Sequence, residues 1–270
     1  MGLLKAIILG VVQGLSEFLP ISSSGHLVLA EKLLNFHEGG LAFEVFVHFG
    51  TLVAVFWVFR TDIGKMILNI PAMFKIKSDS LSQESRQYAI MNIQIILASI
   101  PAAVIGLLFE DQIEQLFESH VLVLFMLLVT GLMMISSRFV KETRTEIKGS
   151  HAFIIGMAQA LAIIPGISRS GSTIVSGLWM GLPRQKVARF SFILSTPVIF
   201  GATLLKLKDL FIAPPPTGEL VNLVAATIAA MISGYFAIVW LLAIIRRQRL
   251  DLFGYYCLAV SLIGFLLISG

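Results

Sequence analysis

Two apolar stretches of the chain, about 3–29 and 152–182, are each interrupted at mid-length by Ser, Gly and Pro. The first interruption reads Pro20-Ile21-Ser22-Ser23-Ser24-Gly25-His26, the second Pro165-Gly166-Ile167-Ser168-Arg169-Ser170-Gly171. Six further stretches run unbroken, at about 41–59, 88–109, 120–138, 190–207, 220–245 and 252–269. Each is near the ~20 residues a helix needs to cross ~30 Å of hydrocarbon. None shows the apolar–polar alternation of a membrane β-barrel strand. Hydrophobic residues make up 57% of the 270 and charged ones 13%, against roughly 45–50% and 25% in soluble domains. A water-soluble fold of this size cannot hide that much apolar surface, so the chain reads as an all-α integral membrane protein. Disordered and disulfide-built classes are excluded too, since the lone Cys257 can form neither an internal disulfide nor a thiolate cluster. The apolar run after Lys5 leads into Ser16-Glu17-Phe18-Leu19-Pro20 without a small-residue cleavage pattern, so it reads as structure and not as a signal peptide.

Irregular backbone facing lipid leaves N–H and C=O groups bare, at several kcal/mol each. The two broken stretches therefore belong inside a bundle, and we read them as re-entrant helical hairpins beside about six transmembrane helices; two kinked spans are the alternative. At an offset of 146, seven of the twenty positions 10–29 are identical, among them Gly10/Gly156, Gln13/Gln159, Ser22/Ser168, Ser24/Ser170 and Gly25/Gly171. This predicts one membrane domain, 1–270, made of two repeats at about 1–139 and 146–270. Fifteen of the 20 Lys and Arg fall in 60–87, 138–150, 183–189 and 246–249. The positive-inside rule places those segments in the cytoplasm and the segments 110–119 and 209–219 outside. The first hairpin then enters from outside and the second from inside, an inverted-topology repeat of the kind carriers and some membrane enzymes use. The 62–80 segment is expected to be an interfacial cytoplasmic helix.

Ionisable residues at membrane depth are costly and so are functional candidates: Glu17, His26, Glu44, His48 and Arg169. Gln13 and Glu17, four apart, share a helix face. If the two breaks meet, Glu17, Ser22, Ser23, Ser24 and His26 face Ser168, Arg169, Ser170, Ser172 and Thr173 across one cavity. Helix N-termini after the breaks and a planar guanidinium suit a phosphorylated ligand. Each part also has a plainer use. Ser and Gly clusters serve close helix packing, Gln13 or His26 a buried hydrogen bond, and Glu17 with Arg169 a locking ion pair. His48 carries no surrounding motif and reads as packing or as an outer-end polar group.

The run from Gln13 to His26 resembles the first signature of the undecaprenyl-diphosphate phosphatase family of bacitracin-resistance type, in which Glu or Gln is followed after three residues by Glu-Phe-x-Pro-x-Ser-Ser-x-Gly-His. The run from Pro165 to Thr173 resembles its second, P-G-x-S-R-S-x-x-T, and the likeness in length and spacing covers essentially the whole chain. The resemblance implies hydrolysis of a C55 polyprenyl diphosphate to the monophosphate and phosphate, on the outer face of a bacterial inner membrane. That reaction recycles the lipid carrier of peptidoglycan synthesis and confers bacitracin resistance. It also implies a divalent cation, Mg2+ or Ca2+, with Glu17 as metal ligand. The catalytic set it implies is Ser23, His26, Glu17 and Arg169, with Ser23 as nucleophile and His26 as base or orienting group, or else His26 as nucleophile and Ser23 binding phosphate. Gln13, Ser22, Ser24, Ser168, Ser170 and Thr173 would bind substrate. Gln13 stands where many members carry Glu, so no metal role passes to it. The partners expected are the polyprenyl diphosphate, membrane lipids and optionally a second copy of the chain, with no nucleic acid. A lipid-phosphate flippase or anion transporter is the alternative.

Overall fold

The computed structural model describes residues 2–33, 40–212, 214–215 and 217–269, and every regular element among them is helical. α1 (Leu3–Phe18) and α2 (Ser23–Leu33) form the first broken segment. α3 (Gly40–Val58), α4 (Arg60–Leu68), α5 (Gln83–Leu108), α6 (Glu110–Phe117) and α7 (His120–Ser136) follow. The second broken segment is α8 (Gly149–Leu161) and α9 (Arg169–Trp179), and α10 (Arg184–Ile212), α11 (Leu220–Arg246) and α12 (Asp251–Ser269) complete the chain. Helices thus occupy all six unbroken stretches. α5, α7, α10 and α11 are long and apolar enough to cross a membrane alone, while α3 is followed by an 80° bend into α4, and α12 is a shorter apolar helix.

Local chemistry accounts for the boundaries. α1 stops because Leu19, next to Pro20, is pushed to extended backbone with ψ 140°. Ser22 then turns through a left-handed φ of 71°. In the second break that conformation falls to Gly166, φ 93°, where a Cβ would lie 2.3 Å from the Val123 carbonyl oxygen. The helix expected over 62–80 is shorter: α4 closes at Asn69, whose side chain donates to the Lys65 carbonyl at 2.8 Å, and Pro71 opens a separate 3-10 turn at Pro71–Lys75. α10 begins six residues before the expected 190, because Arg184, Lys186 and Arg189 carry the helix past its apolar part. The 110–119 linker contains α6.

Glycines set the helix pairs. A Cβ on Gly10 would meet Ala226 O at 2.4 Å, and Gly14 approaches Ala230 and Gly234, so α1 lies parallel to α11. At the equivalent position a Cβ on Gly156 would meet Ala98 O at 2.4 Å. Just ahead of α8, Ile147 O accepts from Gln94 Nε2 at 2.6 Å, so α8 lies parallel to α5. α7 and α12 face each other through Gly131 and Gly254, each close to the other's carbonyl oxygen.

The basic segments gather at one end. Thr143 and Arg144 N–H both donate to Gly181 O at 2.9 Å, and Lys186 Nζ donates to Thr145 O at 2.7 Å. Arg189 pairs with Asp62, and Arg138 lies 3.9 Å from Asp251. α5 starts at this end and α11 finishes there, so α8 enters from the Lys/Arg-rich end and α1 from the opposite one. Pro216 and the side chains of Lys32 and Lys208 lie outside the described residues.

Candidate active site

The two breaks meet and hold each other. Ser24 Oγ accepts the Gly166 N–H at 3.4 Å, and its counterpart Ser170 Oγ donates to Leu19 O at 3.2 Å. Inside each break the same pattern recurs. Ser22 Oγ accepts the Gly25 N–H at 3.2 Å and Ser168 Oγ the Gly171 N–H at 3.1 Å, each tying down the first turn of its second helix. Ser22–Ser24 and Ser168–Ser170 hydroxyl pairs stand at 3.2 and 3.3 Å.

Glu17, 7% exposed, is the centre of the charged cluster. Its Oε2 accepts from Ser23 Oγ at 2.7 Å and from Gln13 Nε2 at 3.0 Å. Its Oε1 accepts from Arg169 Nη2 at 3.1 Å. The same guanidinium reaches Glu17 O at 3.4 Å and, through Nη1, Ser191 O at 3.5 Å. Helix spacing brings Gln13 to Glu17, the turn at Ser22 folds Ser23 back over the carboxylate, and the crossing of the breaks delivers Arg169. A buried charge so surrounded is stabilised by its donors, whereas removing one partner leaves the other uncompensated.

Ser23 also lines a cavity of about 200 Å³ with Ser24, Leu27, Val28, Glu44, Val45, His48, Phe117, Ala202, Thr203 and Lys206. Lys206 Nζ donates to Glu44 Oε2 at 2.6 Å across its wall. The Thr203 hydroxyl has no hydrogen-bond partner among the described residues. Ser23 is therefore shared between the buried carboxylate and an accessible chamber rich in donors.

The remaining expected residues lie elsewhere. His26 Nδ1 bonds Ser22 O and its Nε2 meets Tyr256 Oη, both at 2.9 Å, with the two rings stacked 5.5 Å apart. Among the described residues no hydrogen bond joins its ring to Ser23. The imidazole nearest the carboxylate belongs to His48, with Nε2 4.0 Å from Glu17 Oε2 and Nδ1 on Glu44 O at 2.9 Å. Reading His48 as packing missed this; its place among the few ionisable residues at membrane depth was the signal. Ser168 and Ser170 hold backbone, as described. Thr173 Oγ1 donates to Arg169 O at 2.9 Å and pairs with Ser191 Oγ at 2.6 Å. These three hydroxyls brace the second break and do not line the chamber.

The donor set also bears on a divalent cation. Both Glu17 oxygens are engaged, one by a guanidinium, and no group of three or more His, Cys, Asp or Glu among the described residues could cage a metal. Hard cations take six or more oxygens, so the residues do not fit a resident metal; they fit one carried in by an oxygen-rich ligand.

Comparison with known proteins shows what this arrangement is similar to. The family described as bacitracin resistance protein BacA matches residues 6–263. The undecaprenyl-diphosphatase of Halothermothrix orenii is 44% identical over 97% of this chain and 96% of its own length. That of Methanobrevibacter smithii is 41% identical over 98% of both chains, and undecaprenyl-diphosphatase 4 of Bacillus thuringiensis is 38% identical over 97% and 96%.

Proposed function

The chain belongs to the bacitracin resistance protein BacA family, and on that premise we propose that it is a multi-pass membrane phosphatase that converts undecaprenyl diphosphate to undecaprenyl phosphate and phosphate. The supporting observation is the Ser23 Oγ to Glu17 Oε2 hydrogen bond of 2.7 Å at the chamber wall, which pairs a hydroxyl nucleophile with a carboxylate base. Ser23 Oγ attacks the terminal phosphorus as its proton passes to Glu17. The Ser–phosphate bond forms, the P–O–P bond breaks, and undecaprenyl phosphate leaves. Glu17 passes that proton to the departing undecaprenyl phosphate; ionised again, it takes a proton from the water that hydrolyses the phosphoserine and returns it to Ser23 Oγ as phosphate leaves. Arg169 fixes Glu17 for both steps, and Lys206 brings an ammonium to the chamber wall for phosphate oxygens. A Mg2+ or Ca2+ ion, if brought by the diphosphate, would supply charge neutralisation with ligands drawn mainly from the substrate. The wider role in this reading is lipid-carrier recycling for peptidoglycan, with bacitracin resistance as its consequence.

Quenching a single turnover on polyprenyl diphosphate labelled in the terminal phosphate tests the nucleophile. An acid-stable phosphoserine at Ser23 is expected, and Ser23→Ala should lower turnover at least about 10³-fold. An acid-labile phosphohistidine at position 26 would overturn it. Release of no phosphate by purified protein would leave the flippase or transporter reading in its place.

Glu17→Gln should lower turnover about 10²–10⁴-fold, as for loss of a general base. The residual activity should still require a divalent cation, because most of its ligands come from the substrate. Metal-independent residual activity would make Glu17 the dominant ligand.

A further inference from the structure

We propose that a second pocket, at the Lys/Arg-rich end and remote from Ser23, binds the phosphate headgroup of an anionic phospholipid. The pocket has a volume of about 720 Å³ and lies between residues 140–144, the start of α8 and the turn after α9. Its walls include Lys141, Arg144, Ser150, His151 and Trp179.

The floor is built rather than merely adjacent. Gly181 takes φ 77° and sits so close to Thr143 that a Cβ would meet the Thr143 hydroxyl. Gly181 O accepts two N–H groups, from Thr143 and Arg144, and Met180 O accepts from Arg144 Nε at 2.8 Å. These bonds consume the carbonyls of the floor and leave the outer nitrogens of Arg144 without a protein partner among the described residues. His151 Nδ1 accepts the Lys148 N–H at 3.1 Å, so the buried ring braces the start of α8 at the edge of the pocket. The first N–H groups of α8, at Gly149, Ser150 and His151, have no partner within the helix. Lys141 makes no ion pair among the described residues.

No carboxylate lines the pocket, and the nearby Glu142 is taken by Arg184, which donates its N–H to Glu142 Oε1 at 3.3 Å and approaches it with its side chain at 3.6 Å. Two cationic side chains, Lys141 and Arg144, facing no carboxylate complement an acceptor-rich anionic group such as a phosphate. The rim selects a lipid over a soluble anion. Trp179 is 56% exposed and anchored through Nε1 to Ser136 Oγ at 3.0 Å, and Ile154 is 48% exposed, so an apolar wall adjoins the donors. Indoles so placed mark the headgroup level of a bilayer.

The test uses the full chain in nanodiscs of phosphatidylcholine with and without phosphatidylglycerol, followed by extraction into detergent and counting of retained lipid by native mass spectrometry. Wild type should retain phosphatidylglycerol at least about tenfold over Lys141→Gln/Arg144→Gln. Lys75→Gln/Lys77→Gln removes equal charge elsewhere on the same end and should behave as wild type. Ser150→Asp puts a carboxylate at the N-terminus of α8, which favours the helix; melting should hold or rise while retention is lost. The proposal is overturned if phosphatidylcholine is retained equally, if the Lys75/Lys77 variant loses as much, or if Ser150→Asp keeps its lipid. Displacement of the lipid by millimolar inorganic phosphate would overturn the lipid source in favour of a soluble anion.

Discussion

Ser23 and Arg169 stand 146 residues apart, the offset at which the two broken segments align in sequence, and both reach the same carboxylate, Glu17. The equivalent of Glu17 in the second repeat is Ile163, so the chemistry is concentrated on one side of a shared scaffold. Arg169 spans Glu17 Oε1, Glu17 O and Ser191 O with two nitrogens of one plane. A lysine ammonium is a point charge and cannot hold that span. Arg169→Lys is therefore expected to lower turnover about 10²-fold or more, comparable to loss of one transition-state donor; near wild-type rates would reduce Arg169 to a structural charge. Gln13, Glu17, Ser23 and Arg169 could be read in the sequence because polar groups at membrane depth need a reason to be there. The separation of Ser23 from His26 could not. Three residues apart they share a helix face, but Ser23 is the first residue of α2 and folds back over Glu17, while His26 turns to Tyr256 on α12. Glu44, Phe117 and Lys206 come to the chamber from three other helices with no motif around them, and only folding brings them together.

The breaks show how hydroxyl side chains take up backbone groups that two interrupted helices would otherwise leave open inside a membrane protein. Ser22 and Ser168 cap α2 and α9, Ser24 and Ser170 cross to the opposite break, and Thr130 Oγ1 donates to Gly166 O at 2.9 Å while accepting the Ser168 N–H at 3.1 Å. The helix-breaking residues announced the breaks; the crossing partners lay on elements far away in sequence. Close backbone approach fixes the positions of α1 and α8. Gly10→Ala would place a methyl 2.4 Å from Ala226 O, and the neighbouring helix has only backbone there to move. A loss of about 1–3 kcal/mol is expected, in the range of overpacked cores. Gly106→Ala in α5, where the nearest atom is 4.0 Å away, should instead gain up to about 1 kcal/mol from helix propensity. Denaturation of both variants in one detergent checks the pair, and equal effects would remove the packing explanation.

At the scale of the whole molecule, the grouping of the basic segments converts a rule about loops into a statement about the chamber. Segments 60–88, 137–150, 180–189 and 249–251 are tied together at one end by Arg189–Asp62, Arg138–Asp251 and the bonds to Gly181. The chamber lies toward the other end: Glu44 is in the first turns of α3, Lys206 is in the later part of α10, and Phe117 closes α6. With the basic end in the cytoplasm, as the positive-inside rule expects, the chamber would open outward. In intact cells, with Cys257→Ala as background, a membrane-impermeant thiol reagent should label Glu114→Cys and leave Lys75→Cys unlabelled until the membrane is permeabilised. Glu114 lies on α6 beside the chamber and Lys75 on the turn after α4, both exposed, so failure of access cannot be blamed on burial. The reverse labelling would turn the chain over, place Ser23 and Glu17 toward the cytoplasm, and require the substrate diphosphate to be presented from the inner leaflet.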